Sequence, residues 1–414
     1  MGLTHSKDVE DHSDENYVSK VSKVLLDGYC HKNYQPVKER LEEMLHDGKE
    51  ENVQLCVYVD EKCVVDLYGT AIGDMSYTAE TIQTIFSSGK SIESVVMGVL
   101  YGKGLFKYED PIAKHWPAFS QNGKENVSIA DVFRHQGGLA WFTESFSTVK
   151  DIWTENIKQN KVGELIEKQG LHYPASTKTE YHALTRGLMI NEIVRRLDAK
   201  GRTIGDIIRE DFNIDGIYLG ATTKANCNPV HETMLSPYKA RKERQIEDQP
   251  PFCAELSGLA LGQEFVNIFN SPEFTPAEIS SANTRANARG MAKLASIMAN
   301  KGQGLMTLDA WNEMHAEPIY SFNNGMHYNF TKGGVNYFAN SPDSTDIDKE
   351  KFNKNREGYY GWFGLGGSIM QWHPELKIGF AFCPTFLDIT EMFNQRGAIL
   401  QGIVKECAQN EKKY

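Results

Sequence analysis

Runs of β-branched and aromatic residues occur in pairs near both ends of the chain. Residues 52–69, NVQLCVYVDEKCVVDLYG, form two such runs around a polar break from Asp60 to Lys62, and this pattern predicts a β-hairpin. Near the other end, GGSIMQWHPELKIGFAFC predicts two further strands about a proline turn at 373–375, followed by an amphipathic helix near 390–409. Both ends of the chain are therefore expected to supply strands.

Helical periodicity dominates the region between these strands, as in 89–101, 181–198 and 284–300. This order predicts an α+β fold of the α/β sandwich type. An antiparallel sheet built from both termini is flanked by helices, and a mostly helical subdomain is inserted between its strands. Two polar segments, 222–252 and 321–358, are predicted to be long surface loops.

The same pattern divides the chain into a polar N-terminal tail at 1–20 and one domain with two parts. The sheet subdomain is predicted to span about residues 21–85 and 358–414, and the helical subdomain about residues 86–357. With 414 residues, 40% hydrophobic and 24% charged, the chain is long enough to bury a substantial core.

Charge and cysteine content narrow the possible partners and the compartment. The net charge of −11 argues against a nucleic-acid partner, because phosphate binding depends mainly on clustered Lys and Arg. Seven cysteines without a Cys-x-x-Cys pair favour a reduced cytoplasmic protein. No apolar run approaches the ~20 residues of a membrane-spanning helix.

The first residues, MGLTHSK, match the pattern for N-myristoylation at Gly2, although a chance match is the alternative. A single myristoyl chain gives only weak, reversible membrane binding, and the following KDVEDHSDE is acidic where a basic anchor is needed. We therefore expect at most a weak peripheral association with a membrane.

The stretch IFSSGKSIESVVMGVLYGKGL, residues 85–105, supports two incompatible interpretations. Gly89, Lys90 and Ser91 resemble the end of a phosphate-binding loop. Such a loop needs glycine five residues before its Gly-Lys-Ser, and this position is Thr84, preceded by bulky residues that cannot curl around a phosphate. The nucleotide interpretation is therefore rejected.

The second interpretation is a Ser-x-x-Lys pair, which occurs at Ser87, Ser147 and Ser236. Ser236 precedes a proline, and Ser147 has no apolar run after it. Only Ser87 opens a strongly apolar helix, where Lys90 lies three residues later on the same face. A serine hydroxyl needs such a neighbour to take its proton, and a helix N-terminus offers N–H groups to an oxyanion. The alternative is a capping serine beside a solvated lysine.

Five ordered blocks resemble the serine β-lactamase-like family, in particular its class C and esterase-like branch, which includes penicillin-binding-protein-like esterases and animal homologues. They are TIFSSGK, YGKGLFKYEDPIAKHWPAF, VSIADVFRHQGGLAWF, YHALTRGLMINEIVRRLDAKGRTI and WFGLGGSIMQWHPELKIGFAF, and the similarity runs from about residue 25 to the end. The resemblance implies a serine hydrolase that works through an acyl-enzyme on an ester or amide, without a cofactor.

By this resemblance, Ser87 is the acylated nucleophile, and Lys90 and Tyr181 are its catalytic partners. The phenol of Tyr181 is expected to have its pKa depressed by the adjacent ammonium, so that it can act as a base. The family commonly has Asn two residues after this tyrosine, but here the residue is Ala183. One amide that holds substrate is therefore absent. His182, next to Tyr181, is placed among the residues of the substrate pocket, with a surface or packing role as the alternative.

The third family motif departs further, because Trp362, Phe363 and Gly364 stand where Lys or His, Thr or Ser, and Gly are common. The backbone N–H groups of Leu365 and Ser87 can still form an oxyanion hole. Trp362, Phe363 and Gly364 are expected to line a pocket for a neutral or lipid-like acyl ester.

Metal chemistry is not expected, because the twelve histidines show no His-x-His or His-Glu-x-x-His spacing. His135, in RHQGGL, is interpreted as structural. The departures at Trp362 and Ala183 leave one alternative function open, a catalytically silent protein that keeps the fold for binding or assembly.

Overall fold

The structure is a computed structural model that describes residues 24–144, 146, 148–220, 239–240, 268–323, 326–387 and 394–412. The predicted tail at 1–20, including Gly2, lies outside the described residues. So does most of the predicted loop at 222–252.

The described strands are short to medium in length and lie mainly at the two ends of the chain. In chain order they are β1 (Leu25–Cys30), β2 (Asn52–Val59), β3 (Lys62–Thr70), β4 (Gln83–Thr84), β5 (Ile217–Tyr218), β6 (Lys239–Ala240), β7 (Arg285–Ala286), β8 (Ile319–Asn323), β9 (Met326–Phe330), β10 (Asn336–Tyr337), β11 (Tyr360–Phe363), β12 (Ile369–His373), β13 (Ile378–Pro384) and β14 (Phe386–Leu387).

The helices lie mainly between these groups of strands. They are α1 (Gln35–His46), α2 (Gly89–Gly102), α3 (Ile112–His115), α4 (Ile129–Phe133), α5 (Thr154–Lys158), α6 (Lys161–Lys168), α7 (Thr185–Leu197), α8 (Ile204–Asp211), α9 (Ser280–Asn283), α10 (Ala288–Ala299), α11 (Leu308–His315) and α12 (Gln395–Glu411). Short 3₁₀ turns occur at Lys32–Tyr34, Phe86–Ser88, Pro117–Phe119, Val149–Ile152 and Leu365–Gly367, and a π-helical turn at Asp348–Phe352.

The largest described sheet has the strand order β1-β3-β2-β13-β12-β11-β10-β9-β8, and each neighbouring pair is antiparallel. The strands from the two ends of the chain meet where β2 pairs with β13, and in this pairing Leu55 lies opposite Phe382. The two predicted hairpins are therefore confirmed, and they meet side by side. This pairing confirms the predicted antiparallel sheet built from both ends of the chain.

The prediction of a long surface loop at 321–358 is wrong. Strands β8, β9 and β10 lie largely within it and extend the sheet beyond β11. Aromatic residues alternate with polar ones here, as in Tyr328-Asn329-Phe330, and this period of two is typical of a strand. The many polar residues of the segment led instead to the prediction of a loop. Three strands of the sheet thus fall inside 86–357, the predicted helical subdomain. The division into two subdomains remains a prediction.

Helices cover both faces of the central strands, and two glycines allow this close approach. A Cβ atom at Gly379 of β13 would lie 2.3 Å from the backbone N of Ser296 in α10. On the other face, a Cβ at Gly397 of α12 would lie 2.3 Å from Cδ1 of Ile369 in β12. Side chains of a strand alternate between faces, so β13 is buried along its whole length by both helices.

A small sheet with the order β4-β7-β5 links the large sheet to the helical region. Helix α2 follows β4 after the short 3₁₀ turn Phe86–Ser88, and it packs against α9. Gly89 permits this contact, because a Cβ there would lie 2.1 Å from the carbonyl oxygen of Ser280. The glycine of SSGK therefore serves helix packing, and it places the N-terminal end of α2 at the junction of the sheet and the helices.

We predict that Gly379→Ala destabilises the protein by about 1–3 kcal/mol, because the added methyl group overlaps the backbone of α10. Urea denaturation measures the change. Gly170→Ala is the control, since its Cβ would be 3.7 Å from the nearest atom, an ordinary contact. Equal stability of the two variants would contradict the packing described for β13.

Candidate active site

Ser87 lies in the 3₁₀ turn that connects β4 to α2. The residue before it, Phe86, has φ of 44°, in the left-handed region that non-glycine residues rarely adopt. Within residues 81–90, Ser87 is the one residue that is not buried. The sharp turn thus leaves Ser87 partly exposed, while its neighbours remain in the core.

The structure brings together the three residues that were predicted to be catalytic. The Oγ atom of Ser87 lies 2.6 Å from the hydroxyl oxygen of Tyr181 and 3.1 Å from Nζ of Lys90. Lys90 is one helical turn after Ser87, and Tyr181 comes from the segment that leads into α7. Both neighbours are within hydrogen-bond distance of the serine hydroxyl.

Two backbone carbonyl groups hold the Lys90 amine. Nζ donates to the carbonyl oxygens of Ala183 and Ser281, both at 2.9 Å. Burial holds the pKa of Lys90 well below its ordinary value. A neutral amine has two N–H donors and one lone pair, so the two carbonyls use both donors. The lone pair is then left facing Ser87.

The expectation of a depressed pKa for Tyr181 is wrong. Tyr181 is buried, and burial raises the pKa of its phenol by more than the hydrogen bond with Ser87 lowers it. Because the same burial lowers the pKa of Lys90, the amine is the group of the two whose unprotonated form is favoured, and it is therefore the one available to accept a proton. Tyr181 is therefore a neutral phenol in the resting site.

A buried ion pair that the sequence analysis missed lies beneath this cluster. Nε of Arg186 lies 3.0 Å from Oε2 of Glu93, and both side chains are fully buried. Arg186 also donates to the carbonyl oxygens of Gly334 and Lys90. The two charges oppose each other's effect on Lys90, which leaves burial as the dominant influence on its pKa. Glu93 lies three residues after Lys90, and this spacing could have indicated a carboxylate on the same face of α2 as the lysine.

Trp362 forms the floor of the site rather than an open pocket wall. Its side chain is 2% exposed, and its indole N–H donates to the carbonyl oxygen of Gly334 at 2.7 Å. The ring lies 5.6 Å from Nζ of Lys90 and 6.0 Å from the ring of Tyr181. Phe363 packs against Phe352, with ring centres 5.9 Å apart. An aromatic ring therefore stands where the family commonly has a cation.

His182 is also a structural part of the site, which agrees with the packing alternative and not with a place in the pocket lining. It is fully buried, its Nδ1–H donates to the carbonyl oxygen of Glu180, and its Nε2 accepts the N–H of Leu139. Burial lowers the pKa of His182 to about 4, so the ring is neutral. His135 has the structural place expected for it, because its Nδ1 accepts the backbone N–H of His182 at 2.9 Å.

The loop after β11 is attached to the turn that carries Ser87. The Ser368 hydroxyl donates to the carbonyl oxygen of Ile85 at 2.6 Å and lies 3.0 Å from the Ser88 hydroxyl. A Cβ at Gly364 would lie 2.3 Å from the same Ile85 oxygen, so only glycine fits there. These contacts bring the Leu365 backbone to the turn that holds Ser87.

Comparison with known proteins agrees with this arrangement. A family model described as Beta-lactamase matches residues 37–388. The chain belongs to the beta-lactamase family. A curated relative in this family, the Esterase/beta-lactamase LipL of Mycobacterium tuberculosis (strain ATCC 25618 / H37Rv), is 25% identical over 346 residues, or 79% of this chain and 75% of LipL.

Solved structures show the same fold for this beta-lactamase-family chain. A penicillin-binding protein homolog from Caulobacter crescentus has a TM-score of 0.75 at 21% identity, covering 92% of this chain and 100% of the homolog. A family VIII carboxylesterase has a TM-score of 0.77 at 20% identity, with the same coverage. The predicted family and the fold class are confirmed. Membership of this family supports the predicted serine hydrolase.

Two features are absent from the described ranges of this beta-lactamase-family chain. No helix in those ranges is both long and apolar enough to cross a membrane. In the same part of the chain, no three His, Cys, Asp or Glu side chains form a group that could hold a metal ion.

We predict that Arg186→Met destabilises this family member by about 3–5 kcal/mol, because it leaves the Glu93 carboxylate buried without its partner. Urea denaturation measures the loss. The double variant Arg186→Met with Glu93→Leu removes both charges and is expected to recover much of it. A loss below about 1 kcal/mol in the single variant would show that the pair is not a buried charge pair.

Proposed function

We propose that this protein hydrolyses a neutral carboxylic ester or amide through an acyl-enzyme formed on Ser87. The observation that carries the proposal is the position of the Ser87 hydroxyl, within hydrogen-bond distance of both the Lys90 amine and the Tyr181 phenol. Membership of the beta-lactamase family supports the reaction class.

Acylation begins with proton transfer from Ser87 to the neutral amine of Lys90. The serine oxygen then attacks the substrate carbonyl carbon, and negative charge develops on the carbonyl oxygen. The backbone N–H groups of Ser87 and Leu365 stabilise this charge, each worth roughly 3 kcal/mol when well aligned. A low pKa of Lys90 serves this step, because the amine must be neutral to accept the proton.

Tyr181 protonates the leaving group, which departs as an alcohol or amine. The resulting phenolate is stabilised by the ammonium of Lys90, whose Nζ lies 4.9 Å from the centre of the Tyr181 ring. In deacylation the phenolate takes a proton from water, and the hydroxide attacks the acyl carbon. Lys90 then returns its proton to Ser87, which restores the starting state.

The substrate class follows from Trp362 and Ala183. At position 362 an indole lies under the site, where the family commonly has a cation that holds a substrate carboxylate. At position 183 the family's amide is absent. An apolar floor and a missing carboxylate partner favour a neutral or lipid-like acyl ester. Equal turnover of matched charged and neutral acyl esters would contradict this choice.

A catalytically silent protein is the second candidate function, and the same two departures favour it. If the family's cation and amide are essential for any substrate, the fold would serve binding or assembly instead. The contacts among Ser87, Lys90 and Tyr181 favour the hydrolase, because a binding role gives no reason to keep them together.

The remaining proposals concern the surroundings of the protein. We retain a small-molecule ester or amide as the partner, without nucleic acid, and a cytoplasmic location. Weak membrane association through a myristoyl group at Gly2 also remains a prediction, because Gly2 lies outside the described residues.

We predict that a fluorophosphonate probe labels the folded protein and that Ser87→Ala abolishes both the label and the hydrolysis of short nitrophenyl esters. Ser87 supplies the oxygen that attacks the probe. Ser120→Ala, which changes an exposed serine at the end of another 3₁₀ turn, is the control and should retain the label. An unlabelled wild type that also fails to hydrolyse esters would support the silent alternative.

We predict that kcat falls as the pH falls through the pKa of Lys90 and reaches its plateau well below pH 10.5, the ordinary pKa of the side chain. The neutral amine is the active form, and burial favours that form. A profile of kcat from about pH 5 to 10 measures the transition. Lys90→Arg stays charged and should lose at least about 10³-fold in kcat. A rise in kcat only near pH 10.5 would contradict this role.

A further inference from the structure

The loop Leu365–Gly367 is held by two side chains from the beginning of α12. Nδ2 of Asn394 donates to the carbonyl oxygen of Gly364 at 3.0 Å, and Nη2 of Arg396 donates to that of Gly366 at 2.7 Å. Asn394 and Arg396 are both buried. Each therefore holds one peptide unit of the loop from the side of α12.

The hydrogen bond from Asn394 also determines the direction of the Leu365 N–H group. The described chain contains no cis peptide bond, and in a trans peptide the C=O and the following N–H point in opposite directions. The Gly364 carbonyl also accepts the N–H of Gly367 at 3.1 Å. With this carbonyl directed at Asn394 and Gly367, the N–H of Leu365 is directed away from them.

The loop needs such a restraint because Gly364 lies on one side of this peptide and two glycines follow Leu365. Gly366 and Gly367 have φ of 80° and 116°. Gly364 has no Cβ to oppose a change in its ψ, so the Gly364–Leu365 peptide rotates at lower steric cost than a peptide between two residues that carry side chains. Ser368 attaches the loop to Ile85 but does not bond the Gly364 carbonyl. The orientation of the Gly364–Leu365 peptide is therefore set by the two donors to its carbonyl, Asn394 and Gly367, and of these two only Asn394 acts through a side chain.

The backbone of Asn394 suits this task. Its φ is 48°, in the left-handed region that asparagine tolerates better than most residues. Its own carbonyl oxygen accepts a hydrogen bond from Nη2 of the buried Arg356 at 2.6 Å. A short amide side chain on a fixed backbone is thus directed at one carbonyl.

We propose that Asn394 is a positioning residue for the reaction, because it orients the Leu365 N–H toward the oxyanion that forms above Ser87. This inference rests on the proposed function, in which the Leu365 N–H is an oxyanion donor. Asn394 touches no reacting atom, so its effect is exerted through the Gly364–Leu365 peptide.

The test compares two substitutions at this position. Asn394→Gly removes the amide and still accepts positive φ, and Asn394→Asp keeps the shape but removes the N–H donor. Both should lower kcat for a nitrophenyl ester about ten- to a hundredfold, with KM within about twofold, because the donor acts on the transition state. Affinity for a boronic acid that mimics the tetrahedral intermediate should fall by a similar factor.

The control is Asn353→Ala, which removes another buried amide that donates to a loop carbonyl, that of Ala339. It should leave kcat and boronic acid affinity within about twofold of the wild type. An unchanged kcat in both Asn394 variants, or an equal loss in Asn353→Ala, would overturn the inference.

Failure of the proposed function would be distinguished by the wild type itself. If the wild type neither reacts with a fluorophosphonate nor hydrolyses esters, the hydrolase proposal fails. A crystal structure of Asn394→Gly then decides whether Asn394 orients the peptide. A rotated Gly364–Leu365 peptide supports that orienting contact, and an unchanged peptide overturns it.

Discussion

The chemistry of this site depends on an amine held in the core between two carbonyl groups. Lys90 loses most of its hydration there, and the carbonyls of Ala183 and Ser281 use both donors of its neutral form. This arrangement requires α2, the segment before α7 and helix α9 to meet at one point. Gly89 allows α2 to pack closely against α9, and the ion pair of Arg186 with Glu93 joins α7 to α2 beneath the lysine.

The sequence predicts the side chains of the site better than its backbone partners. The spacing of Ser87 and Lys90 identifies a helix start with a nucleophile and its neighbour, and this arrangement is present in the structure. Tyr181 has no pattern of its own and was found only through resemblance to a family. The carbonyl groups that hold Lys90 could not be predicted, because every residue type carries the same carbonyl. Whether a phenol or an amine is the base depends on burial, which a linear pattern does not reveal.

The fold shows the same limit. The hairpin of β2 and β3 and the hairpin of β12 and β13 have clear apolar strands and could be predicted. Strands β8 to β10 were missed because their polar positions and short lengths resemble a loop. The buried place of Trp362 could not be foreseen either, since a tryptophan serves equally as a pocket wall or as core. The hydrogen bond from its indole N–H to the Gly334 carbonyl holds the ring in the core, directly beneath the site.

The pairing of β2 with β13 also has a consequence for the order in which the protein is made. Residues 53–59 pair with residues 378–384, so this side of β2 stays unpaired until residue 384 has been synthesised. Contacts so distant in sequence form slowly, and an unpaired strand edge can associate with other chains meanwhile. The loop at 365–367 emerges just before β13, so the reactive serine is synthesised long before its surroundings exist. A truncated or half-made chain would carry this hydroxyl as an ordinary, unreactive alcohol.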